Sequence, residues 1–292
     1  MRILATVSNM RSLAVVVDLR TREVGHVPVR SGFFDPTITE RATCRPFGIT
    51  WSPSELFIVN NRQLLAFGRD LTFSRAVPVR LQVNTHQLAY DAGRAWTVSP
   101  WTNSLIGVGA DDTIEFDLAA QTVRPYVERD ASSADDRWHY NSLLWHGDRL
   151  FVAAHAFGPA SFINVYDRAT FRLVDVHPNA GHSIHGLARR DGELFWISTK
   201  TKEIRSDRGL RLRLPRAGFA RGFAMTDDHF IVGVSVPSPR DKRHRGDSWI
   251  QVIDHCDGRL VEEISLPGTG NVNDLRLLDA HDHAHPVPPF WT

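Results

Sequence analysis

Histidines are the residues of this sequence best suited to chemistry, and the 292-residue chain contains 14 of them. The segment AGHSIHGLARRDGELFWIS, from Ala180 to Ser198, places His182 and His185 three residues apart, just before an apolar run. A neutral imidazole binds transition metals, and near pH 7 it is also the commonest general base. The segment alone leaves both roles open. It also allows a third, in which the two histidines are only polar residues at the start of a strand.

The strand–turn–strand pattern of this segment recurs along the chain and identifies the elements that must position the histidines. Short runs of β-branched and aromatic residues alternate with turns that contain Gly or Asp, at a spacing of roughly 35–50 residues per unit. No stretch has the periodicity of a long amphipathic helix. Six segments align with one another: PFGITWSPSELFIVNN from Pro46, HQLAYDAGRAWTVSP from His86, YNSLLWHGDRLFVAAH from Tyr140, IHGLARRDGELFWIST from Ile184, ARGFAMTDDHFIVGVS from Ala220 and VNDLRLLD from Val272.

The two ends of the chain complete one repeat between them. The last segment, from Val272, lacks a second strand, whereas the opening strands RILATVSN, SLAVVVDL and EVGHVPV lack a first one. Radial repetition of four-stranded sheets leaves few exposed edges. We therefore predict an all-β fold, a six-bladed β-propeller closed by the C-terminal strand, which joins the N-terminal strands as the innermost strand of their blade.

Three segments lie outside the strand pattern. We predict one propeller domain over residues 1–280 and a C-terminal tail over 281–292, whose histidines could chelate a metal but which we expect to be solvated or loosely docked. The loop VPSPRDKRHRGDSW, Val236 to Trp249, is interpreted as a solvated surface loop; the alternative is a lid that recruits an anion. The acidic stretch ERDASSADDRW, 128–138, is interpreted as an exposed insertion.

Alignment of the innermost strands brings polar residues to one level of the propeller axis. The first column is polar in five of six blades: Phe47, His86, Asn141, His185, Arg221 and Asn273. The next column is mostly small, and the third is entirely large and apolar: Ile49, Leu88, Leu143, Leu187, Phe223 and Leu275. Because side chains alternate along a strand, we expect the first and third columns to face the axis as a polar ring above an apolar floor. Unpaired buried polar groups are costly, so the ring predicts a ligand site.

The predicted site contains candidate catalytic and substrate-binding residues. His86, His185 and His139 are the candidate acid–base catalysts. Arg221 is the one cation of the first column, and its guanidinium fits a carboxylate or phosphate; its alternative role is an ion pair with Asp274. The predicted partner is therefore a small-molecule substrate, and Arg221 is the residue that would bind an anionic group on it. The other substrate-binding candidates, most of them near the rim, are Arg45, His155, Trp101 and Phe47.

The blade pattern resembles the six-bladed propellers of the NHL, SMP-30/gluconolactonase and streptogramin B lyase group. The resemblance covers nearly the whole chain and implies either an axial divalent metal held by a carboxylate and asparagines, or axial histidine with Mg²⁺ that opens a lactone by elimination. Four residues are the predicted ligands of one divalent metal of unknown identity: His86, Asn141, His185 and Asn273. The first column has no Asp or Glu, which favours the lyase-like arrangement or a softer metal. Whether the histidines bind metal or act as bare acid–base groups stays open.

Composition excludes several classes of partner and cofactor. The formal net charge is +1, from 34 Lys and Arg against 33 Asp and Glu, so we expect neither nucleic acid nor membrane as a partner. No Walker, GxGxxG, GxSxG or CxxC motif occurs, and no nucleotide cofactor is expected. The first residues lack a signal-peptide apolar region, and the cysteines, Cys44 and Cys256, lie far apart; both features predict a reducing cytoplasm.

Two functions from different classes follow. The first is a small-molecule enzyme, a lyase or hydrolase, in which a histidine transfers a proton and a metal or Arg221 stabilises the developing oxyanion. The second is a non-catalytic scaffold that binds a protein partner on its top face, for which exposed aromatics such as Trp101 and Phe157 would be suited.

Overall fold

Antiparallel sheets form six blades around one axis in the computed structural model, which describes residues 1–33, 44–129, 135–157 and 160–291. The predicted all-β, six-bladed propeller is therefore confirmed. The described strands are, in chain order, β1 Arg2–Val7, β2 Ser12–Asp18, β3 Val24–Pro28, β4 Pro46–Trp51, β5 Leu56–Asn60, β6 Gln63–Phe67, β7 Phe73–Arg80, β8 Leu88–Asp91, β9 Arg94–Ser99, β10 Ser104–Val108, β11 Thr113–Asp117, β12 Thr122–Pro125, β13 Tyr140–His146, β14 Arg149–Ala154, β15 Ser161–Asp167, β16 Leu173–Gly181, β17 Ile184–Arg190, β18 Glu193–Ser198, β19 Glu203–Ser206, β20 Arg211–Arg213, β21 Phe219–Met225, β22 His229–Ser235, β23 Ser248–Asp254, β24 Leu260–Leu266 and β25 Val272–Leu277.

The described helices are three short 3-10 turns, Ser31–Phe33, Pro100–Thr102 and Arg240–Lys242. None of the helices within the described ranges has the length and apolar character needed to cross a bilayer.

The ring closes as predicted, through the C-terminal strand. Blade 1 has the strand order β25-β1-β2-β3, and β25 pairs antiparallel with β1 through Ile3 with Leu277 and Ala5 with Leu275. Blades 2 to 6 begin with β4, β8, β13, β17 and β21, and these innermost strands contact one another in turn, with β21 returning to β25. This pairing joins the N-terminal and C-terminal strands in one blade and closes the ring.

Turn residues set the register of the hairpins that carry the site. Asp191 and Gly192 connect β17 to β18 with φ values of 52° and 76°. Two consecutive residues with positive φ match the twist of paired strands, and Asp-Gly is a preferred pair for them. The charged turn in the Ala180–Ser198 segment is therefore the tip of a tight hairpin whose opposite end lies at the axis.

Bulges near the start of the innermost strands break the regular alternation of side chains. In β17 the register shifts between His185 and Leu187, and in β21 it shifts between Arg221 and Phe223. The glycines at these shifts, Gly186 and Gly222, have φ of 63° and 70°. Similar shifts occur in β4, β13 and β25. A bulge re-aims the side chains beside it, so the first and second columns face the axis together.

The predicted apolar floor of the tunnel is therefore wrong. Each third-column residue instead packs into a different apolar core between or within neighbouring blades: Ile49, Leu88, Leu143, Leu187, Phe223 and Leu275. The second column closes the tunnel with polar atoms. Asp274 Oδ2 accepts from the Ile49 amide at 2.9 Å, and Gln87 Oε1 accepts from the Leu143 amide at 3.1 Å. These bonds link neighbouring blades and satisfy backbone donors near the bulges.

The C-terminal segment docks on the bottom of the propeller, contrary to the expected solvated or loosely docked tail. His285 Nε2 bonds Thr50 Oγ1 at 2.8 Å, and Trp51 Nε1 donates to the Pro288 carbonyl at 2.7 Å. Phe290 is buried in the core of blades 1 and 2. The segment packs against the end of β4, whereas the axial cavity described below lies at the start of the innermost strands.

A buried ionic cluster joins this segment to the tunnel floor. The Arg276 guanidinium is 1% exposed and lies 2.9 Å from the Asp274 carboxylate. Asp282 Oδ1 accepts from the Met225 and Ala284 amides, at 3.1 and 2.9 Å. Burial raises the pKa of Asp274 to about 6 and also raises that of Asp282, while the Arg276 charge opposes both shifts. Arg276, a residue that the sequence did not single out, thus forms an ion pair with Asp274.

Candidate functional site

The top face opens into a cavity of about 810 Å³ at the propeller axis. A volume of this size is typical of small-molecule sites, which span roughly 300–1,000 Å³. Beneath it lies a second cavity of about 20 Å³, lined by first- and second-column residues. The main cavity is lined by Ser8, Cys44, Arg45, Phe47, Asn84, His86, Trp101, Asp136, His139, His155, Phe157, Phe219, Arg221, Asp241, Arg243, His244 and Asn273.

The structure brings all the sequence-predicted site residues to these two cavities. The main cavity includes Arg45, Phe47, His86, Trp101, His139, His155, Arg221 and Asn273. The lower cavity adds Asn141 and His185 and shares four residues with the main one. Blades far apart in sequence supply them, which is the geometry expected where all innermost strands meet. Their catalytic, metal-binding and substrate-binding roles stay predictions.

His185 presents a buried lone pair to the lower cavity. Its Nδ1 lies 2.9 Å from the Ser183 carbonyl and 2.9 Å from Thr199 Oγ1, and Thr199 donates its own proton to the Ala220 carbonyl at 2.7 Å. Both neighbours of Nδ1 therefore accept, so Nδ1 must carry the proton and Nε2 the lone pair. Burial, and next the Arg221 charge, hold the pKa of His185 well below its ordinary value. Nε2, buried without a hydrogen-bond partner, is thus an acceptor or ligand atom.

His139 is oriented by Asp136, an aspartate that was not among the residues predicted for the site. Its Nδ1 lies 2.8 and 2.9 Å from the two carboxylate oxygens of Asp136. A carboxylate accepts, so Nδ1 carries a proton, and in the neutral tautomer Nε2 carries the lone pair. Asp136 belongs to the acidic stretch interpreted as an exposed insertion, of which residues 130–134 lie outside the described residues. That interpretation is wrong for Asp136, and its spacing of three from His139 was the available signal.

The basic loop also reaches the site, contrary to its interpretation as a solvated surface loop. Asp241, Arg243 and His244 line the main cavity. The Asn271 amide donates to the Arg243 carbonyl at 2.9 Å and the Gly270 amide to the Gly246 carbonyl at 2.8 Å. These backbone bonds fasten the loop beside blade 1. The loop therefore forms part of the cavity wall.

The predicted metal ligands offer donor atoms but little negative charge. Asn141 Nδ2 donates to the Ile184 carbonyl at 2.9 Å, and its buried Oδ1 has no hydrogen-bond partner. Asn141 and His185 line the same lower cavity. None of the four predicted ligands is a carboxylate or a thiolate, and the buried Arg221 cation acts on His185. Within the described ranges no three His, Cys, Asp or Glu residues form a group that could hold a metal. This donor set does not fit a divalent cation well, and we derive no step through a metal.

His155 should make the stability of the protein sensitive to acid. Burial lowers the pKa of His155 to about 3, with further lowering by His139, Arg221 and Lys200. The unfolded chain takes up this proton below about pH 6.5 and the folded chain only near the lowered pKa, so stability falls as pH falls between these values. When the pH is lowered from 7.5 to 5, the free energy of unfolding should fall in both proteins. We expect the fall to be about 1–2 kcal/mol smaller in His155→Gln than in the parent protein.

Urea unfolding of both proteins at the two pH values measures this difference. The exposed His182 supplies a matched control, and His182→Gln should lose as much stability as the parent. Comparison within pairs cancels the opposite contribution of Asp274 and Asp282, whose raised pKa values favour the folded state as pH falls. Equal losses of unfolding free energy in the parent and in His155→Gln would contradict the lowered pKa of His155.

Structural similarity extends over the whole fold at low sequence identity. A Bacteroides caccae protein of unknown function superposes with a TM-score of 0.59 at 10% identity, over 94% of this chain and 97% of that one. The β-propeller domain of Myceliophteria thermophila Cps50 (Swd1) gives a TM-score of 0.51 at 14% identity, over 87% of this chain and 80% of that one. A chain from a nidogen/laminin complex gives 0.55 at 8% identity, over 94% and 96%. These similarities show the propeller fold alone.

No protein-family model matches the chain, and no curated protein matches it in sequence. The function must therefore be argued from the cavity and its side chains.

Proposed function

We propose that this chain is an enzyme that acts on a small anionic molecule by proton transfer, with lyase or hydrolase chemistry. The observation that carries the proposal is the Asp136–His139 pair in the wall of the axial cavity, 2.8 Å between carboxylate oxygen and Nδ1. A carboxylate that fixes the tautomer of a histidine is the arrangement by which many enzymes prepare a general base. The cavity around it is large enough for a small-molecule substrate.

His139 is the residue proposed to transfer the proton. With Nδ1–H bonded to Asp136, its Nε2 accepts a proton, and Asp136 stabilises the imidazolium that forms. In a hydrolysis the proton comes from an attacking water. In an elimination it comes from a carbon next to a carbonyl, and the imidazolium returns it to the departing oxygen. Both versions use the same pair.

The other polar residues bind and orient the substrate. Arg221, 8% exposed, is proposed to hold the anionic group or the developing oxyanion. His185 keeps its imidazole neutral because its pKa is depressed, so its Nε2 accepts a hydrogen bond from substrate hydroxyl or amine rather than a proton. Together they would orient a polar substrate against His139.

The second candidate is a scaffold that binds a protein partner on the top face. Phe157 supports it, because this aromatic side chain is 56% exposed at the cavity. If a partner inserts an apolar side chain there, its affinity would depend on Phe157 and Trp101 and would not depend on the tautomer of His139.

Turnover of a substrate panel tests the enzyme proposal. Lactones, esters and hydroxy acids that carry an additional carboxylate or phosphate are incubated with the protein and followed by proton NMR. We expect conversion of at least one compound, lost in Arg221→Gln and retained in Arg213→Gln, an exposed control on β20. Absence of conversion, together with partner capture that depends on Phe157 but not His139, would support the scaffold instead.

The predicted metal has its own test. Protein purified without a histidine tag or chelator is analysed by elemental mass spectrometry beside His86→Ala/His185→Ala. About one equivalent of divalent metal, lost in the double variant, would establish an axial metal. Equal metal content in both proteins would remove these residues from its ligand set.

A further inference from the structure

Six rings form a continuous belt around five sixths of the axial tunnel. In order around the axis the ring belt consists of Phe47, His86, His139, His155, His185 and Phe219, with successive ring-centroid distances of 4.8, 5.0, 5.2, 5.5 and 6.3 Å. Blades 2 to 6 supply these rings. Phe157 extends the belt toward the mouth, 4.6 Å from the His139 ring centroid.

The apolar surface of the cavity is almost entirely aromatic. Among the described residues that line the main cavity there is no Val, Leu or Ile, and Cys44 is the one apolar side chain without a ring. Aromatic rings offer flat faces and polarised edges to another ring, and such ring pairs gain free energy beyond that of the area they bury. This lining favours a planar aromatic ligand over an aliphatic one of equal size.

Arginines stand at both ends of the belt. Arg45 precedes Phe47 by two residues and lines the same cavity, and the guanidinium carbons of Arg221 and Arg243 lie 4.7 and 5.1 Å from the Phe219 ring centroid. Blade 1 lies between the two ends and contributes Ser8 and Asn273 instead of a ring. The cavity therefore has an aromatic side at blades 3 to 5 and a cationic side around blade 1.

The balance of charge in the cavity is positive. The lining residues include three arginines and two aspartates, which are Arg45, Arg221, Arg243, Asp136 and Asp241. Asp136 is bound to His139 on the aromatic side. Guanidinium groups bind carboxylate, phosphate and sulfonate oxygens through paired hydrogen bonds. An anionic group therefore belongs on the cationic side.

We propose that the substrate is a planar aromatic molecule that carries an anionic group, with its ring against the ring belt and its anion between the arginines of blades 2 and 6. The inference rests on the proposed function and names its substrate class. It places the part of the substrate that lies against blade 4 next to His139, which is the proton-transferring residue. A cavity of about 810 Å³ has room for two fused rings.

Binding of 2-naphthoate, measured by isothermal titration calorimetry, tests ring and charge separately. 2-Naphthamide keeps the ring and removes the charge, whereas decahydro-2-naphthoate keeps the charge and removes the planar ring. We expect 2-naphthoate to bind about tenfold more tightly than either analogue. Equal affinity for 2-naphthoate and its saturated analogue would overturn the aromatic part, and equal affinity for the amide would overturn the anionic part.

Two substitutions locate the ligand in the cavity. Phe219→Leu should weaken 2-naphthoate binding about 2- to 10-fold and leave the saturated analogue nearly unchanged, while Phe73→Leu on outer strand β7 should affect neither. Arg221→Gln should remove most of the preference for the acid over the amide, with Arg213→Gln as control. Arg45→Gln tests the same charge from blade 2 if the first variant fails to fold. Unchanged preferences in both cavity variants would place any binding elsewhere.

These outcomes are separable from those of the proposed function. Specific 2-naphthoate binding without turnover of any aromatic ester or lactone would support a planar aromatic anion as the ligand of the cavity and contradict the proposed enzyme. Turnover confined to aliphatic anions would support the enzyme and contradict the aromatic substrate class.

Discussion

Replacing His139 by glutamine should lower kcat by about 10²–10⁴-fold on any substrate identified in the panel, because it removes the proposed proton acceptor. Asp136→Asn should lower kcat to a comparable degree. The asparagine amide can donate to Nδ1 and so place the ring proton on Nε2, which leaves no lone pair for the substrate. KM should change little in both variants, since neither residue is proposed to hold the anion.

The matched control for this prediction is His182→Gln, which changes an exposed histidine outside the cavity lining. Its kcat should equal that of the parent protein. Circular dichroism and thermal unfolding of each variant separate a loss of chemistry from a loss of fold. If His139→Gln retains the parent kcat, His139 is not the proton-transferring residue.

The second large effect concerns stability. Arg276→Met should lower the free energy of unfolding by about 3–5 kcal/mol, because it leaves Asp274 buried without its ion-pair partner. Asp282, fully buried beside Arg276, loses the same nearby charge. Urea unfolding at pH 7.5 measures the difference.

An exposed ion pair provides the control. Arg75 lies 2.7 Å from Glu55 but is 47% exposed, so Arg75→Met should cost about 0–1 kcal/mol. The double variant Arg276→Met/Asp274→Asn should recover part of the loss, since it no longer buries the Asp274 charge. A loss below about 1 kcal/mol in Arg276→Met would show that the cluster contributes little.

Much of the site could be located from the sequence because the innermost strands repeat. Aligning His86, Asn141 and His185 was enough to place them at one level of the axis, since equivalent positions of a propeller converge there. The sequence could not supply Asp136, because its role depends on how one irregular stretch folds back on His139. The charge pattern of the basic loop predicted a solvated loop. The backbone hydrogen bonds that hold this loop near blade 1 join residues far apart in the sequence, so the pattern could not predict them.

Local pattern determined the six blades and their closure: strand length, alternation and turn residues act over a few positions and are readable in order along the chain. Tertiary structure alone decided which side chains face the axis. The bulge between His185 and Leu187 depends on the register with β18, and it sends Leu187 into a core and His185 into the tunnel. The ring belt and the Arg276–Asp274 cluster were equally out of reach, because packing and long-range charge are set by residues that meet only in the folded chain.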